Sequence, residues 1–220
     1  MPDRSRAREL AAESNRKGDA TGWFERLYQE AEAGKNTVPW ADFVSNPHLV
    51  EFWASHPLDA AGKSALVIGS GLGDDSELLA AWGYQTTAFD ISETAIRATR
   101  KRFPKSFVHY VAADLLAPPP LWRKKFDFVV EIYTLQVLPA TLRPRAIEKI
   151  ARFVRPGGHF VVIARGREES EPEGEMPWPL TRAELQSFTR LGLTQELFEE
   201  YADPDEPSVS RFRALYARPS

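Results

Sequence analysis

The 220-residue chain predicts one doubly wound α/β domain on a seven-stranded sheet. Three observations carry that expectation. Apolar runs of strand length alternate with amphipathic helical stretches from about residue 63 onward, the first run passes at once into a glycine turn and a helix, and the chain closes on two stretches of period-two alternation around "DPDEPSV". Alternating strands and helices mark parallel strands joined by crossover helices, and period-two alternation marks an antiparallel hairpin. An apolar content of 43% suffices to fill one large core.

Up to about residue 20 the polar composition predicts a flexible segment. Residues 21–220 then form a single domain whose first part, 21–61, is a helical cover. In "TGWFERLYQEAEA" the residues Trp23, Leu27 and Ala31 share a helical stripe with Phe24 and Tyr28. "SNPHLVEFWASH" opens with Ser45 or Asn46 as a cap and places Pro47 in the first turn. "KSALVIG" is the first strand, an unbroken apolar run of the kind buried on both faces, and "DDSELLAAWG" is a helix with acidic residues at its start and Gly83 at its end. "YQTTAFD" is the second strand, followed by a helix capped by Ser92, and "SFVHYVAAD" is the third. "FDFVVEIY" is the fourth, "LRPRAIEKIARFV" a helix, "RPGG" a turn, and "GHFVVIA" the fifth. Residues 166–180 are too acidic and proline-rich for core and read as a loop, after which Thr181 and Glu184 make a capping box. "TQELFEEYA" and "SRFRALYA" form the closing hairpin.

Composition narrows the function. A net charge of −3 gives no basic surface for nucleic acid, and the absence of cysteine removes disulfides and thiolate nucleophiles. His48, His56, His109 and His159 lack any metal-binding spacing. No apolar stretch reaches signal or membrane length, so a cytoplasmic protein with a small-molecule partner is expected, without nucleic acid or membrane.

Ligands of doubly wound sheets bind beyond the carboxyl ends of the strands. After the first strand stand Gly69, Ser70 and Gly71, where positive φ and a bare main chain let a ligand approach the free N–H groups of the following helix. Asp90 ends the second strand 19 residues beyond Gly71, near the interval at which a carboxylate receives both hydroxyls of an adenosine ribose. Asp114 ends the third strand, and Glu131 and Tyr133 end the fourth. Arg165, just past the fifth, is a candidate for attracting an anionic nucleophile. A nicotinamide dinucleotide, S-adenosylmethionine and a turn needed only for packing all fit the glycines. Against the dinucleotide stand Asp74 in place of the third glycine of G-x-G-x-x-G, the long helical prelude, and too little remaining chain for a substrate domain.

With the glycine loop, "AFDIS", "AADLL", "FDFVVEIY" and "RPGG" in order, residues 62–217 resemble the class I S-adenosylmethionine-dependent methyltransferases. That resemblance implies a sheet in the order 3-2-1-4-5-7-6 with the last strand antiparallel. Many members carry an acid two positions before the first glycine, where this chain has Val67. The branch of thiopurine, thiol and halide methyltransferases also lacks it and is similar in an N-terminal aromatic block, matched by Trp23, Tyr28, Pro39 and Trp40, and in the loop "GEMPWPLTRAEL". The implied cofactor is S-adenosyl-L-methionine. Trp40 would cover its methionine end and Gly69, Ser70 and Gly71 would line it. Asp90 would hold the ribose, Ile91, Asp114 and Leu115 would meet the adenine, Glu131 would face the methionine moiety, and Tyr133 would stand near the sulfonium. The implied activity is in-line methyl transfer to a thiol, a halide-like anion or a hydroxyl, with Tyr133 and Arg165 as catalytic candidates. A non-catalytic protein binding the same cofactor, and an NAD-type oxidoreductase, remain the alternatives.

Overall fold

The computed structural model describes residues 3–220. Its sheet is built from β1 (Ser64–Ile68), β2 (Gln85–Asp90), β3 (His109–Ala112), β4 (Phe126–Ile132), β5 (Val154–Arg167), β6 (Leu180–Thr181), β7 (Thr194–Ala202) and β8 (Ser210–Ala217). The order is β3-β2-β1-β4-β5-β8-β7, with the two-residue β6 beside β5. Leaving β6 aside, this is the expected seven-stranded order, and β8 is antiparallel to both neighbours. β6 escaped the sequence reading because two residues show no periodicity, so the end of the expected 166–180 loop is sheet. "RPGG" also differs from expectation. β5 begins at Val154 and runs through those residues, and the register skips between Phe126 and Phe128, so the segment is a bulge in the strand. Gly157 supplies the positive φ of 72° there.

Alternation along the central strands sorts the core into two layers. Leu66, Ile68, Val129, Phe160 and Val162 face α6 (Arg143–Phe153) and α7 (Arg182–Arg190). Ala65, Val67, Phe128, Val130 and Val161 face the side of α3 (Pro47–Ser55), α4 (Asp74–Ala81) and α5 (Glu93–Arg102). Burial on both faces explains why these strands read as unbroken apolar runs. The capping residues act as the sequence implies: Asn46 accepts from His48 N, Ser92 from Ala95 N, and Thr181 and Glu184 form a reciprocal box.

The N-terminal cover is more extensive than expected. Of residues 1–20, expected to be flexible, residues 1–2 lie outside the described residues, while Ser5–Arg16 form α1, which packs on α2 (Gly22–Glu32). Ala7, Leu10 and Ala11 are buried with Trp23, Leu27 and Met176 in a third apolar cluster. One large apolar residue in twelve is a weak amphipathic signal; the Ala, Arg, Glu and Leu residues of α1 favour a helix, but twelve residues are marginal alone, and its neighbours stabilise it. Arg8 Nε donates to Met176 O across the chain. On α2, Glu25 reaches the N-terminus of α5, where it accepts from Ser92 Oγ (2.6 Å), Thr94 Oγ1 (2.6 Å) and Thr94 N (3.2 Å). An acid at a helix N-terminus is favourable to the helix dipole, so this contact docks the cover over the carboxyl end of β2.

Truncating Leu10 to alanine should destabilise the protein by about 2–5 kcal/mol, as for other fully buried leucines. Urea denaturation checks this, and an unchanged midpoint would mean that α1 is not part of the folded core.

Candidate active site

The strand order reverses between β1 and β4, and the loop after β1 lies at that point. Gly69, Gly71 and Gly73 have φ of 62°, 52° and 92°. At Gly69 and Gly73 the packing also demands glycine, since a Cβ would collide with Thr134 Oγ1 at the one and with Thr99 Cγ2 at the other, while one at Gly71 would lie 3.2 Å from the Tyr28 hydroxyl. The loop is tied to the next strand, since Ser70 N donates to Phe89 O and Gly71 N to Asp90 Oδ2 (2.9 Å). Asp90 Oδ1 accepts from Ser92 N, also at 2.9 Å. Burial raises the Asp90 carboxyl above its usual range, against the opposing effect of these amides. Its two oxygens still have acceptor capacity on the side of the cleft they line.

A first lobe of the cleft opens beyond β1, β2 and β3. Phe89, Ile91, Ala113, Leu115, Leu116 and Leu138 form an apolar slot with Asp90 on its wall and Asp114 at its edge. Asp114 Oδ1 accepts from Leu116 N, which leaves Oδ2 available. Phe24, Tyr28 and Trp40 close the slot from above. Tyr28 is nearly fully buried and accepts a hydrogen bond from Trp40 Nε1 (2.9 Å), so the cover is assembled around the glycine loop.

Tyr133 marks the inner end of this lobe. It follows β4 with φ of 64°, a conformation costly for a bulky side chain and most often kept at functional sites. Glu131 was expected to face the ligand, and here the structure corrects the sequence reading. Its side chain has no exposed surface and is not among the residues lining the cleft. It turns inward because Oε1 accepts from Thr134 N (2.6 Å) and Leu135 N (2.9 Å), the amides of the turn that carries Tyr133. Oε2 has no partner, and burial pushes the carboxyl up to about 7.

The second lobe is polar and shares Trp40, Gly69, Ile132 and Tyr133 with the first. Ser70 and Gly71 line this lobe rather than the apolar one, and Ser70 Oγ is buried without a partner. Arg165 lines it too. It is half-buried rather than solvated, and its Nη2 lies 3.4 Å from Glu206. Sequence reasoning missed what stands beside it: Arg4, His48, Asp203 and Arg211. Arg211 sits over the Tyr133 ring (4.9 Å) and donates to Asp203 Oδ2 (2.6 Å). These residues come from the N-terminal segment, α3 and the closing hairpin, so no local motif could announce them. The antiparallel placement of β8 was the one available signal, because it brings residue 211 opposite residue 165.

Comparison with known proteins agrees with this arrangement. Residues 66–162 match the family described as "Methyltransferase domain". The thiopurine S-methyltransferase of Vibrio atlanticus is 22% identical over 183 residues, spanning 76% of this chain and 82% of that protein. A protein of Arabidopsis thaliana named "Probable thiol methyltransferase 2" is 25% identical over 154 residues, 64% of this chain and 65% of that one. The fold superposes on a Burkholderia thailandensis 1,6-didemethyltoxoflavin N1-methyltransferase solved with S-adenosylhomocysteine, with TM-score 0.69 at 16% identity, covering 97% and 91% of the two chains. Residues 66–162 of this chain carry the pattern of a methyltransferase domain.

The cleft has the donor set for S-adenosylmethionine: an apolar slot for a flat base, a buried carboxylate on its wall, and a glycine loop that leaves the main chain bare. Among the described residues no cluster of His, Asp or Glu could hold a metal ion, and no helix is long and apolar enough to cross a membrane.

The buried Glu131 gives a stability signature. Its folded-state pKa, about 7, lies above the ordinary 4.5, so the folded protein holds a proton there that the unfolded chain has lost. Stability from this group is therefore complete below pH 4.5 and falls as pH rises to about 7, by about 3 kcal/mol at 1.36 kcal/mol per unit. Glu131→Gln keeps the Oε1 acceptor and should gain that amount on the wild type between pH 4.5 and 8. Urea melts at the two pH values measure the difference, and parallel curves would mean that Glu131 is charged when folded.

Proposed function

We propose that this methyltransferase acts on a small nucleophile that attacks as an anion, by in-line displacement, with a thiol as the leading class and halide-like anions or hydroxyls as the others. The observation that carries the reading is the approach of three guanidinium groups, Arg4, Arg165 and Arg211, to the polar lobe that adjoins Tyr133. Two are partly neutralised by Glu206 and Asp203, while Arg4 has no ion-pair partner among the described residues. Asp42, Asp74, Asp75 and Asp205 line the lobe too, so the push is local: Arg211 over the Tyr133 ring and Arg165 near it favour the ionised form of an acceptor held there, and an ordinary thiol near ~8.5 needs only a modest one. The names of the thiopurine and thiol methyltransferase relatives point the same way.

When bound, S-adenosylmethionine supplies a methyl group on a sulfonium that is already an excellent leaving group. The protein's part is alignment and exclusion of water. Asp90 would accept from the ribose hydroxyls with the lone pairs that Gly71 and Ser92 leave free. Ile91 and Leu115 would sandwich the adenine, and Asp114 would accept from its amino group. Gly69, Ser70 and Gly71 would line the methionine end under Trp40. Tyr133, fixed at the junction of the lobes by its turn, would position the acceptor next to the methyl group. Glu131 would contribute by holding that turn. Holding the reacting atoms about 3–3.5 Å apart can supply roughly 7–11 kcal/mol of the barrier.

Asp90→Ala should reduce affinity for S-adenosylhomocysteine by at least about tenfold, both through the lost acceptor and through release of the Gly71 amide, while the protein stays folded. Arg165→Ala should leave that affinity intact and lower turnover of a thiol. Isothermal titration on both variants, with S-adenosylhomocysteine release as the activity assay, separates these effects. Undiminished affinity in the Asp90 variant would remove the proposed ribose contact.

A further inference from the structure

His48 lies at the first turn of α3, is nearly fully buried, and lines the polar lobe that the proposed function gives to the acceptor. Its backbone is held on both sides: the amide donates to Asn46 Oδ1 (3.0 Å) and the carbonyl accepts from Arg213 Nη1 (2.9 Å). The ring is flanked by Tyr201, 5.4 Å between centroids, and its Nε2 lies 3.6 Å from Asp203 Oδ2. Asp203 is itself fixed. Its Oδ1 accepts from the amides of Asp205 and Glu206, and its Oδ2 from Arg211 Nε. Tyr133, Arg211, Asp203 and His48 are thus consecutive contacts along one wall of the lobe, beginning at the junction with the cofactor slot. No other histidine lines that lobe.

We infer that His48 is the general base of the acceptor lobe, with Asp203 orienting its ring, and that it suits the enzyme to acceptors that must lose a proton. This rests on the acceptor reading above. In the step, the lone pair of the acceptor atom bonds to the methyl carbon, the pair of the breaking carbon–sulfur bond stays on sulfur, and the acceptor's proton passes to an imidazole nitrogen of His48. Asp203 stabilises the imidazolium, which then returns its proton to solvent through the open lobe. The electrostatics suit a base. Burial and the positive charges of Arg211 and Arg213 on β8 hold the ring below its ordinary 6.5, against the opposing pull of Asp203, which follows β7, and of Glu51 on α3. Tyr201, on β7, faces the ring with its phenol raised well above the neutral range and so uncharged. His48 is therefore neutral near pH 7 and free to accept a proton.

Two acceptors separate this role from a structural one: 2-mercaptoethanol, which carries a proton, and iodide, which does not. With the wild type, kcat/KM for the thiol should rise through an inflection below pH 6.5 that is absent with iodide, a comparison that needs no variant. In His48→Gln, thiol turnover at pH 6.5 should fall by about 100-fold, the usual scale of a lost base, while iodide turnover changes by less than about threefold. Affinity for S-adenosylhomocysteine should hold, which checks the fold, and added imidazole should restore thiol turnover in His48→Ala. Equal losses with both acceptors, an inflection shared by both, or failure of imidazole to rescue would overturn the assignment. A wild type that binds S-adenosylhomocysteine but turns over neither acceptor would instead overturn the acceptor reading, and this inference with it.

Discussion

The carboxylate of Asp90 is the joint on which the cleft is built. Its two oxygens take the amide of Gly71 on one side and that of Ser92 on the other, so the end of β2 holds both the glycine loop and the start of α5. Without that bridge the loop would have three consecutive odd-numbered glycines in left-handed backbone and few side chains of its own to fix it. Burying a carboxylate is unfavourable, and the two amides offset part of that cost while a ligand's hydroxyl donors would offset more. The site therefore carries some of the fold's free energy as unused hydrogen-bonding capacity.

The two lobes divide the work by polarity. The slot beyond β1, β2 and β3 is apolar except for Asp90 and Asp114, as a flat heteroaromatic base requires. The second lobe holds arginines, a histidine and several acids that come from distant parts of the chain. Tyr133 belongs to both, and the strained backbone that places it there is supported from behind by the inward-turned Glu131. A buried acid that organises a turn and a tyrosine that lines the cleft thus form one unit, two residues apart.

What could be read from the sequence follows the range of the interactions. Strands buried on both faces, the caps at Asn46, Ser92 and Thr181, and the glycine turn are local patterns, and each stands where its pattern puts it. Asp90, Ile91, Asp114 and Leu115 line the slot because position after a strand is itself a local property. Glu131 misled because the same position permits a side chain to turn either toward the cleft or back toward its own turn, and only the geometry of Thr134 and Leu135 decides. α1 was missed because its apolar stripe is thin and its partner, Met176, lies far along the chain. The charged wall of the second lobe was invisible for the same reason, except for Arg165, which a strand end betrays.

Ser92 gives the cover an unusual mechanical relation to the cleft floor. Its amide donates to Asp90 and its hydroxyl to Glu25 of α2, so one serine bridges the carboxylate of the floor and that of the roof, while Gly71 and Thr94 each add to one side. The roof is thereby tied, through the first residues of α5, to the end of the strand that carries Asp90.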